Sequence, residues 1–362
     1  MRIVNSVVLM TALLPTRGHE DLIRFASSIT FGKVHVIVSS RSFEPIYSIQ
    51  RTEALVSFAR RENLNNVEII SHADDQAPQN PNPDLETTPG ADVKFWKYWT
   101  DAIVSLVNDV VPDTAIISSE PYGQIIADKF GCRFVPYDID RVLNPIKGTT
   151  ARQNIKENWM QLSQYFRENF QQRFVIFGQE SVGKTTMAKA LADDDKTGHT
   201  LFVPEYARGY LEHVGAELTK EKMENISFGQ SGYQKAVIGM DQYHTIIHDT
   251  DLFSTVGYYR IMDLDINTNP YLLKAAKKMS YEIDRYFLMP DDIPFEQDQL
   301  RYGGDQRESS YEFWKDLLDE FNIRYVEVPR GLNFEEKKQF IRNSMDEEFD
   351  RISKNIVNFI RE

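Results

Sequence analysis

Residues 178–185 read Gly-Gln-Glu-Ser-Val-Gly-Lys-Thr, with the glycine, lysine and threonine spacing of a phosphate-binding P-loop. Glycines in such a loop let backbone N–H groups turn toward phosphate oxygens, Lys184 reaches the β- and γ-phosphates, and the Thr185 hydroxyl ligates Mg²⁺. An apolar run at 173–177 precedes the motif and a helical pattern follows it, as a P-loop requires. The sequence therefore predicts binding of ATP and Mg²⁺ by Gly178, Ser181, Gly183, Lys184, Thr185 and Thr186.

Carboxylates follow two later apolar runs, at positions that suit phosphoryl transfer. The run at 245–248 ends in Asp249, which is placed to hold Mg²⁺ together with Thr185 or to accept a hydroxyl proton. Glu205 follows the run at 200–203, at the sheet edge where α/β proteins bind substrates, and is either a base or an acceptor for a ribose hydroxyl. A salt bridge at a helix start is the alternative for Glu205. We assign catalysis to Lys184, Asp249 and Glu205.

Other residues near these carboxylates are candidates for substrate contacts. Arg208 could pair with a phosphate or carboxylate group. Arg301 and Arg307 flank a glycine-containing turn, a pattern typical of a lid that closes guanidinium groups onto a transferring phosphoryl group. A solvated loop is the alternative for that turn. We expect ATP contacts from both lid arginines, and substrate contacts from Tyr206, Arg208 and Asp251.

A second phosphate site is predicted near the N-terminus. Residues 16–19 read Thr-Arg-Gly-His, directly after the first apolar run and at the start of a helical pattern. In a doubly wound sheet this turn is a frequent nucleotide site, because the helix N-terminus carries partial positive charge. Gly18 would permit close backbone approach, and His19 could donate to phosphate oxygens. A simple helix cap is the alternative for His19.

The elements that must position these residues alternate between apolar runs and helical patterns along the chain. Such alternation predicts parallel sheets with helical crossovers. A polar, helical stretch at 153–172 separates two series, and a polar loop is expected at 74–92. We predict two α/β domains, 1–155 with a doubly wound, Rossmann-like sheet and 156–362 with a P-loop kinase fold. The predicted strands are 7–14, 34–38, 67–71, 114–118 and 133–138, then 173–177, 200–203, 245–248, 286–289 and 325–328.

Composition excludes several classes of function. The chain of 362 residues has a formal charge of −13 and no basic patch, which argues against nucleic acid as a partner. The single cysteine, Cys132, excludes an internal disulfide and fits a reducing compartment. No apolar run approaches the ~20 residues that a membrane span needs, and residues 1–14 are typical of a buried strand rather than a signal peptide. The sequence predicts a cytoplasmic protein without membrane contact, and a homo-oligomer is possible.

Residues 16–19 resemble the (H/T)xGH signature of nucleotidyltransferases, and further segments extend the likeness over nearly the whole chain. Their order and spacing resemble the bifunctional NadR-type family, nicotinamide-nucleotide adenylyltransferases joined to ribosylnicotinamide kinases. Three of these segments, Trp96–Trp99, 117–121 and 148–152, lie in the first predicted domain. The other matching segments are the P-loop, 205–208, 248–251 and 301–307.

The resemblance implies that the first domain has a nucleotidyltransferase fold and joins ATP to nicotinamide mononucleotide, giving NAD, while the second phosphorylates nicotinamide riboside. In the first domain the family match implies catalytic roles for Thr16, His19 and Arg152, and ATP contacts from Gly18 and Thr149. Trp96 and Trp99 could stack on the nicotinamide ring, although aromatic residues on a helix are more often core.

Three residues depart from the family pattern. Met10 stands where the family usually has glycine, Thr16 where histidine is more common, and Lys147 where serine is usual. A lysine at a phosphate site adds a positive charge, so Lys147 could compensate for the missing histidine. Enteric members also carry an N-terminal helix-turn-helix, for which we expect no room before the first strand.

Two other readings stay open. One is a fusion of phosphopantetheine adenylyltransferase with dephospho-coenzyme A kinase, which also places an xGH domain before a P-loop. The other is a nucleotide-sensing protein whose first domain binds NAD without making it.

Overall fold

The apolar runs form two separate parallel sheets of five strands each. The structure, a computed structural model, describes residues 2–78, 93–107, 113–293 and 310–357. Contacts between residues divide the chain into two units, Met1–Asn169 with Ser353–Glu362, and Phe170–Ile352. The expected α/β class with two parallel sheets is thereby confirmed.

The first sheet has the strand order β3-β2-β1-β4-β5, so its order reverses between the neighbours β1 and β4. Open α/β sheets bind ligands at such a reversal, beyond the carboxyl ends of the strands. Its strands are β1 (Asn5–Met10), β2 (Val34–Ser40), β3 (Val67–Ala73), β4 (Thr114–Ser118) and β5 (Arg133–Pro136). Its helices are α1 (Arg17–Ile29), α2 (Ser48–Arg61), α3 (Val93–Val107), α4 (Tyr122–Phe130), α5 (Gly148–Gln153) and α6 (Gln164–Arg167).

Strand β1 is shorter than the sequence predicts. It ends at Met10, because Ala12 has a φ of 42°, which is incompatible with an extended strand. Leu13 and Leu14 are nevertheless buried, which explains why their apolar pattern resembled that of a strand. The early end of β1 makes room for a loop that leads to Thr16 at the start of α1.

The polar stretch at 153–172 is not the helical linker that the sequence suggests. It contains a short 3-10 helix, Trp159–Gln161, and α6, and the side chains of Trp159, Leu162 and Phe166 are buried. The Ser163 N–H donates to the Pro15 carbonyl at 2.9 Å. A few apolar residues in a polar segment thus pack on the first unit, and residues 156–169 group with it rather than with the second domain.

The second sheet has the order β10-β9-β6-β8-β7, with the P-loop strand β6 at its centre. Both faces of β6 are buried, which explains its continuous apolar sequence. The strands are β6 (Gln172–Phe177), β7 (Thr200–Val203), β8 (Thr245–Asp249), β9 (Arg285–Leu288) and β10 (Tyr325–Glu327). The helices are α7 (Lys184–Asp193), α8 (Tyr206–Val214), α9 (Lys220–Ala236), α10 (Leu252–Ile261), α11 (Pro270–Ser280), α12 (Tyr311–Glu320) and α13 (Phe334–Val357).

Two expectations concern segments that the structure describes in part or not at all. Most of the polar loop at 74–92 and the whole turn at 301–307 lie outside the described residues. Within the described ranges, none of the helices combines the length and the apolar character that a membrane crossing requires.

Candidate active sites

The phosphate loop in the second unit has the backbone that its glycines predict. Gly178 has a φ of 136° and Gly183 a φ of 80°, and Gly183 is the residue before α7. A Cβ on Gly178 would come within 3.3 Å of the Met289 carbonyl oxygen, so a larger residue would strain the loop in two ways. The Lys184 ammonium donates to the Gln179 carbonyl at 2.6 Å. The lysine therefore lies across the loop whose backbone would hold the phosphates.

Thr185 and Asp249 meet at the carboxyl ends of neighbouring strands. Strands β6 and β8 are paired, with Ile176 beside Asp249, which brings the start of α7 next to the end of β8. The Thr185 hydroxyl donates to Asp249 Oδ2 at 2.6 Å. The other carboxylate oxygen, Oδ1, is buried and has no hydrogen-bond partner among the described residues.

This arrangement of oxygen atoms fits Mg²⁺. Magnesium in ATP sites is held by few protein oxygens together with phosphate oxygens and water, and it does not need a cage of several acidic residues. The Thr185 hydroxyl and Asp249 supply such oxygens. Oδ1 of Asp249, which is buried and has no hydrogen-bond partner among the described residues, would gain one in a bound cation. The two residues that the sequence assigns to the metal are thus brought together.

Glu205 lines the same cavity as Lys184, and Asp249 lies beside that cavity, bonded to Thr185. Burial raises the pKa of the Glu205 carboxyl, and the negative charge of Asp249 raises it further. Burial also raises the pKa of Asp249, although its bond from Thr185 and the charge of Lys184 oppose that shift. Two neighbouring carboxyl groups that resist ionisation suit one metal ligand and one proton acceptor.

The cavity around these groups has a volume of about 430 Å³. Helices α8, α9 and α10 supply the wall opposite the phosphate loop, with both apolar and polar side chains. This volume is within the range of small-molecule sites. Residues in the wall include Arg208, Leu211, Met223, Gln230, Ser254, Thr255 and Tyr258.

Two of the predicted substrate contacts have other roles in the structure. The Asp251 carboxylate lines the cavity but caps α10, accepting from the Phe253 N–H at 3.0 Å and from the Tyr286 hydroxyl. Burial raises the pKa of Asp251 to about 6. The ring of Tyr206 stacks on Tyr210, with centroids 5.8 Å apart, rather than forming part of the cavity wall. Arg208 lies in the wall as expected.

Gln230 on α9 is a polar wall residue that the sequence gave no reason to single out. Its side-chain oxygen accepts a hydrogen bond from the Tyr206 N–H at 2.9 Å, and because a backbone N–H can only donate, this bond fixes the amide orientation. The Nε2 group is buried and has no partner within the described ranges. A substrate oxygen is the kind of acceptor that this N–H group lacks.

The second cavity, of about 420 Å³, lies in the first unit beyond β1 and β4. Three segments that are far apart in sequence meet there: the loop after β1 with the start of α1, the turn after β4, and the start of α5. Met10 and Lys147 line this cavity. All the phosphate-site residues that the sequence predicts in this unit line it as well, namely Thr16, Gly18, His19, Thr149 and Arg152.

His19 is held as a neutral side chain. Its Nδ1 accepts a hydrogen bond from the Thr16 N–H at 3.1 Å and lies 2.8 Å from the Thr16 hydroxyl oxygen. The backbone bond requires an unprotonated Nδ1, so the ring proton is on Nε2. Burial, together with the charge of Arg141, lowers the pKa of His19 to about 4. Nε2–H is therefore available to donate at neutral pH.

The backbone at the start of α5 approaches His19 closely. A Cβ built on Gly148 would lie 3.7 Å from His19 Cε1. Lys147, the residue before α5, is exposed but lines the cavity, whereas Met10 is buried at the end of β1 and forms part of the cavity floor. All three residues that depart from the family pattern, Met10, Thr16 and Lys147, thus line the same cavity.

Arg141 is a cavity residue that sequence reasoning missed. It forms an ion pair with Glu120, and both residues line the cavity. Its φ of 56° places it in the left-handed region, which is uncommon for arginine. No motif marks it, because it follows β5 in a loop without a recognisable pattern.

The two tryptophans of α3 lie in the core. Trp96 and Trp99 are 4% and 7% exposed, and neither lines the described cavity. Trp96 packs with Val7 and Ile37 from the sheet. The ring of Trp99 makes an edge contact with His72, with centroids 5.8 Å apart. Within the described part of the chain, Trp96 and Trp99 thus have the core packing role that is the alternative to stacking on a nicotinamide ring.

Fold and sites together define a P-loop nucleotide-binding protein with a second cavity at the carboxyl ends of β1 and β4 in its first sheet. Residues 173–337 match the protein family described as AAA domain. The chain is homologous, at low identity, to two proteins named trifunctional NAD biosynthesis/regulator protein NadR, from Escherichia coli K12 and Salmonella typhimurium LT2. Each is 24% identical over 247 residues, which is 64% of this chain and 57% of the relative. The chain thus spans little more than half the length of these relatives.

Two solved structures share the fold over almost the whole chain. A crystal structure of NadR in complex with NR has a TM-score of 0.58 and 19% identity, and the match covers 96% of both chains. One of NadR in complex with NAD and AMP-PNP has a TM-score of 0.55 and 20% identity, and covers 99% of this chain and 98% of the other. The fold of this chain is therefore similar to that of these structures over almost its whole length.

Proposed function

We propose that this protein is an NAD salvage enzyme that phosphorylates nicotinamide riboside with ATP and then joins the mononucleotide to a second ATP, giving NAD and pyrophosphate. The observation that carries the proposal is a nucleoside-sized cavity lined by Lys184, Thr185 and Glu205, with Asp249 bonded to Thr185 beside it. The homology to NadR supports the choice of substrates.

In the second unit the 5′-hydroxyl of the riboside attacks the γ-phosphorus of ATP. The new oxygen–phosphorus bond forms as the bond to the β-phosphate oxygen breaks, and ADP leaves. We assign the hydroxyl proton to Glu205, because one oxygen of Asp249 already accepts from Thr185. Lys184 neutralises charge on the phosphates. A bound Mg²⁺, held by Thr185 and Asp249, would neutralise charge on the phosphate oxygens.

The proposed contact between Gln230 and the riboside explains a buried group without a partner. Its Nε2–H group would donate to a carbonyl or hydroxyl oxygen of the nucleoside, while its other amide atom stays bonded to Tyr206. A site that offers an unmatched donor rejects molecules lacking the acceptor. Arg208, in the same wall, would complete the polar side of the subsite.

In the first unit the phosphate of the mononucleotide attacks the α-phosphorus of ATP and pyrophosphate leaves. A phosphate dianion is already a nucleophile, so the reaction needs positioning and charge neutralisation rather than a base. His19 would donate through Nε2–H, and Thr16, Arg152 and Lys147 would contact phosphate oxygens. The restricted, neutral state of His19 supports a donor role.

A second candidate is a sensor whose first unit binds NAD without making it. The observation that favours it is Met10, a bulky side chain in the floor of the cavity where the family pattern has glycine. The coenzyme A reading receives no support from the relatives that the chain matches.

The experiment that tests the proposal supplies nicotinamide riboside and ATP to the purified protein and follows the products by mass. The expected result is nicotinamide mononucleotide followed by NAD, and pyrophosphate in equal amount to NAD. A parallel reaction starts from nicotinamide mononucleotide and ATP. Mononucleotide without NAD would leave a kinase with a sensor domain, and no product from either substrate would refute the proposal.

A further inference from the structure

Thr250 has a backbone conformation that its side chain disfavours. It follows Asp249 at the end of β8 and has a φ of 62°. The left-handed region is crowded for any side chain and most of all for a β-branched one. Of the eight non-glycine residues with positive φ in the described ranges, Thr250 alone is β-branched. Glycine or asparagine would adopt this conformation at lower cost, so the backbone by itself does not account for a threonine.

The hydroxyl group of Thr250 is also unsatisfied. The residue is 2% exposed, and its Oγ1 has no hydrogen-bond partner among the residues that the structure describes. A buried hydroxyl without a partner destabilises the folded state. Thr250 thus combines two unfavourable features at one position, which is a pattern of functional sites, where the surrounding structure holds a strained residue in place.

Thr250 lies beside the phosphate loop. Its N–H donates to the Ile176 carbonyl at 3.1 Å, one residue before the last residue of β6. The preceding residue, Asp249, accepts from Thr185 of the loop. Thr250 lines the same cavity as Lys184. Its hydroxyl is therefore close to where the terminal phosphate of ATP would lie.

The opposite side of Thr250 leads to the acceptor part of the cavity. The next residue, Asp251, caps α10, and Ser254, Thr255 and Tyr258 of that helix line the cavity. Thr250 thus stands between the phosphate loop and the wall where we place the riboside. The phosphoryl group must pass between these two places.

We propose that the Thr250 hydroxyl donates a hydrogen bond to an oxygen of the phosphoryl group as that group moves from ATP to the acceptor hydroxyl. The inference rests on the proposed phosphoryl transfer. Thr250 exchanges no atom: the acceptor oxygen gains the phosphorus, the ADP oxygen loses it, and Glu205 takes the proton. A donor that lacks a partner in the protein and gains one during transfer lowers the barrier without tightening substrate binding.

The test compares Thr250→Val with Thr250→Ser. Valine keeps the branched shape and the strained backbone but removes the hydroxyl, whereas serine keeps the hydroxyl. We expect Thr250→Val to lower kcat for riboside phosphorylation by about 10- to 100-fold. KM for both substrates should stay within about twofold. Thr250→Ser should keep kcat within about threefold of the native value.

A second measurement does not depend on activity. Removing an unpartnered buried hydroxyl should raise the thermal unfolding midpoint of Thr250→Val by about 2 °C. Thr245→Val is the matched control, because Thr245 is buried at the other end of β8 and its hydroxyl is bonded to His244 at 2.8 Å. That variant should lose thermal stability and keep native kinetics.

Two results would overturn the proposal. These are an unchanged kcat in Thr250→Val, whether or not its KM for riboside rises, and a fall in its unfolding midpoint like that of Thr245→Val. If the native protein does not phosphorylate the riboside, the proposed function fails instead. ATP hydrolysis by the same variants, with water as the acceptor, then tests the hydroxyl, and an unchanged rate in Thr250→Val refutes it.

Discussion

The two cavities differ in the charge that they offer to a nucleophile. The cavity of the second unit combines Lys184 with the carboxyl groups of Glu205 and Asp251, and Asp249 lies beside it. In the first unit, the one carboxylate among the described lining residues, Glu120, is paired with Arg141. A hydroxyl nucleophile must lose a proton, whereas a phosphate nucleophile needs only charge neutralisation. Each cavity thus suits the nucleophile that we propose for it.

The largest expected effect is a variant that loses the activity of one cavity and keeps that of the other. Lys184→Ala should reduce riboside phosphorylation by about 10³-fold or more, because the lysine charge on the transferring phosphate is lost. Adenylyl transfer from supplied mononucleotide should stay near the native rate, since Lys184 lies in the second unit. Steady-state rates of both reactions check this, and equal loss of both would contradict two independent sites.

The reciprocal change is His19→Ala. Adenylyl transfer should fall by about 10²-fold, the usual cost of losing one preorganised donor to phosphate. Because the pKa of His19 is lowered to about 4, the neutral donor persists across neutral pH. The native rate should therefore show no histidine titration between about pH 6 and 8. A rate in His19→Ala close to native would reduce His19 to a residue of the helix start.

Glu205→Gln tests the carboxyl chemistry of the second cavity. We expect kcat for riboside phosphorylation to fall by about 10²-fold, because the proton acceptor is lost. The folded-state pKa of Glu205 is raised, so ionisation disfavours folding, and the penalty is present at pH values above the folded pKa. The variant should therefore unfold at a higher temperature than the native protein at pH 7. At low pH, where Glu205 is protonated, the two proteins should unfold at the same temperature.

The native protein should show the same pH sensitivity in its kinase rate. Phosphorylation should fall as pH drops through the raised pKa of Glu205, and this limb should be absent in Glu205→Gln. Glu120→Gln is the comparison variant, because it removes a carboxylate of the first unit that already has an arginine partner. If Glu205→Gln phosphorylates the riboside at the native rate, Glu205 is not the proton acceptor, and the role falls to Asp249.

The smallest effect concerns Lys147. Lys147→Ser restores the residue that is usual in the family and removes a positive charge from the first cavity. We expect KM for ATP in adenylyl transfer to rise about threefold to tenfold, because an exposed charge contributes modestly to phosphate binding. An unchanged KM for ATP would show that Lys147 does not compensate for the absent histidine at Thr16.

The sequence determined the parts of this protein that depend on local pattern. Ten apolar runs with helical segments between them specify two parallel sheets, and the glycine spacing of 178–185 specifies a phosphate loop, since both follow from backbone preferences of neighbouring residues. Local pattern also placed Asp249 and Glu205 at strand ends. The two carboxyl groups lie close together because β7 and β8 are parallel neighbours, whose carboxyl ends lie on one edge of the sheet.

Tertiary structure decided what local pattern could not. It ended β1 at Met10, packed 156–169 on the first unit, and placed Trp96 in the core. It showed that Asp251, a predicted substrate contact, lines the cavity and also caps α10. It also revealed Gln230 and Thr250, whose importance comes from polar atoms that are buried without partners. Whether a polar atom finds a partner depends on residues far away in sequence, so the segment 248–251 contains Thr250 but could not show that its hydroxyl is unpartnered, and no motif marks Gln230.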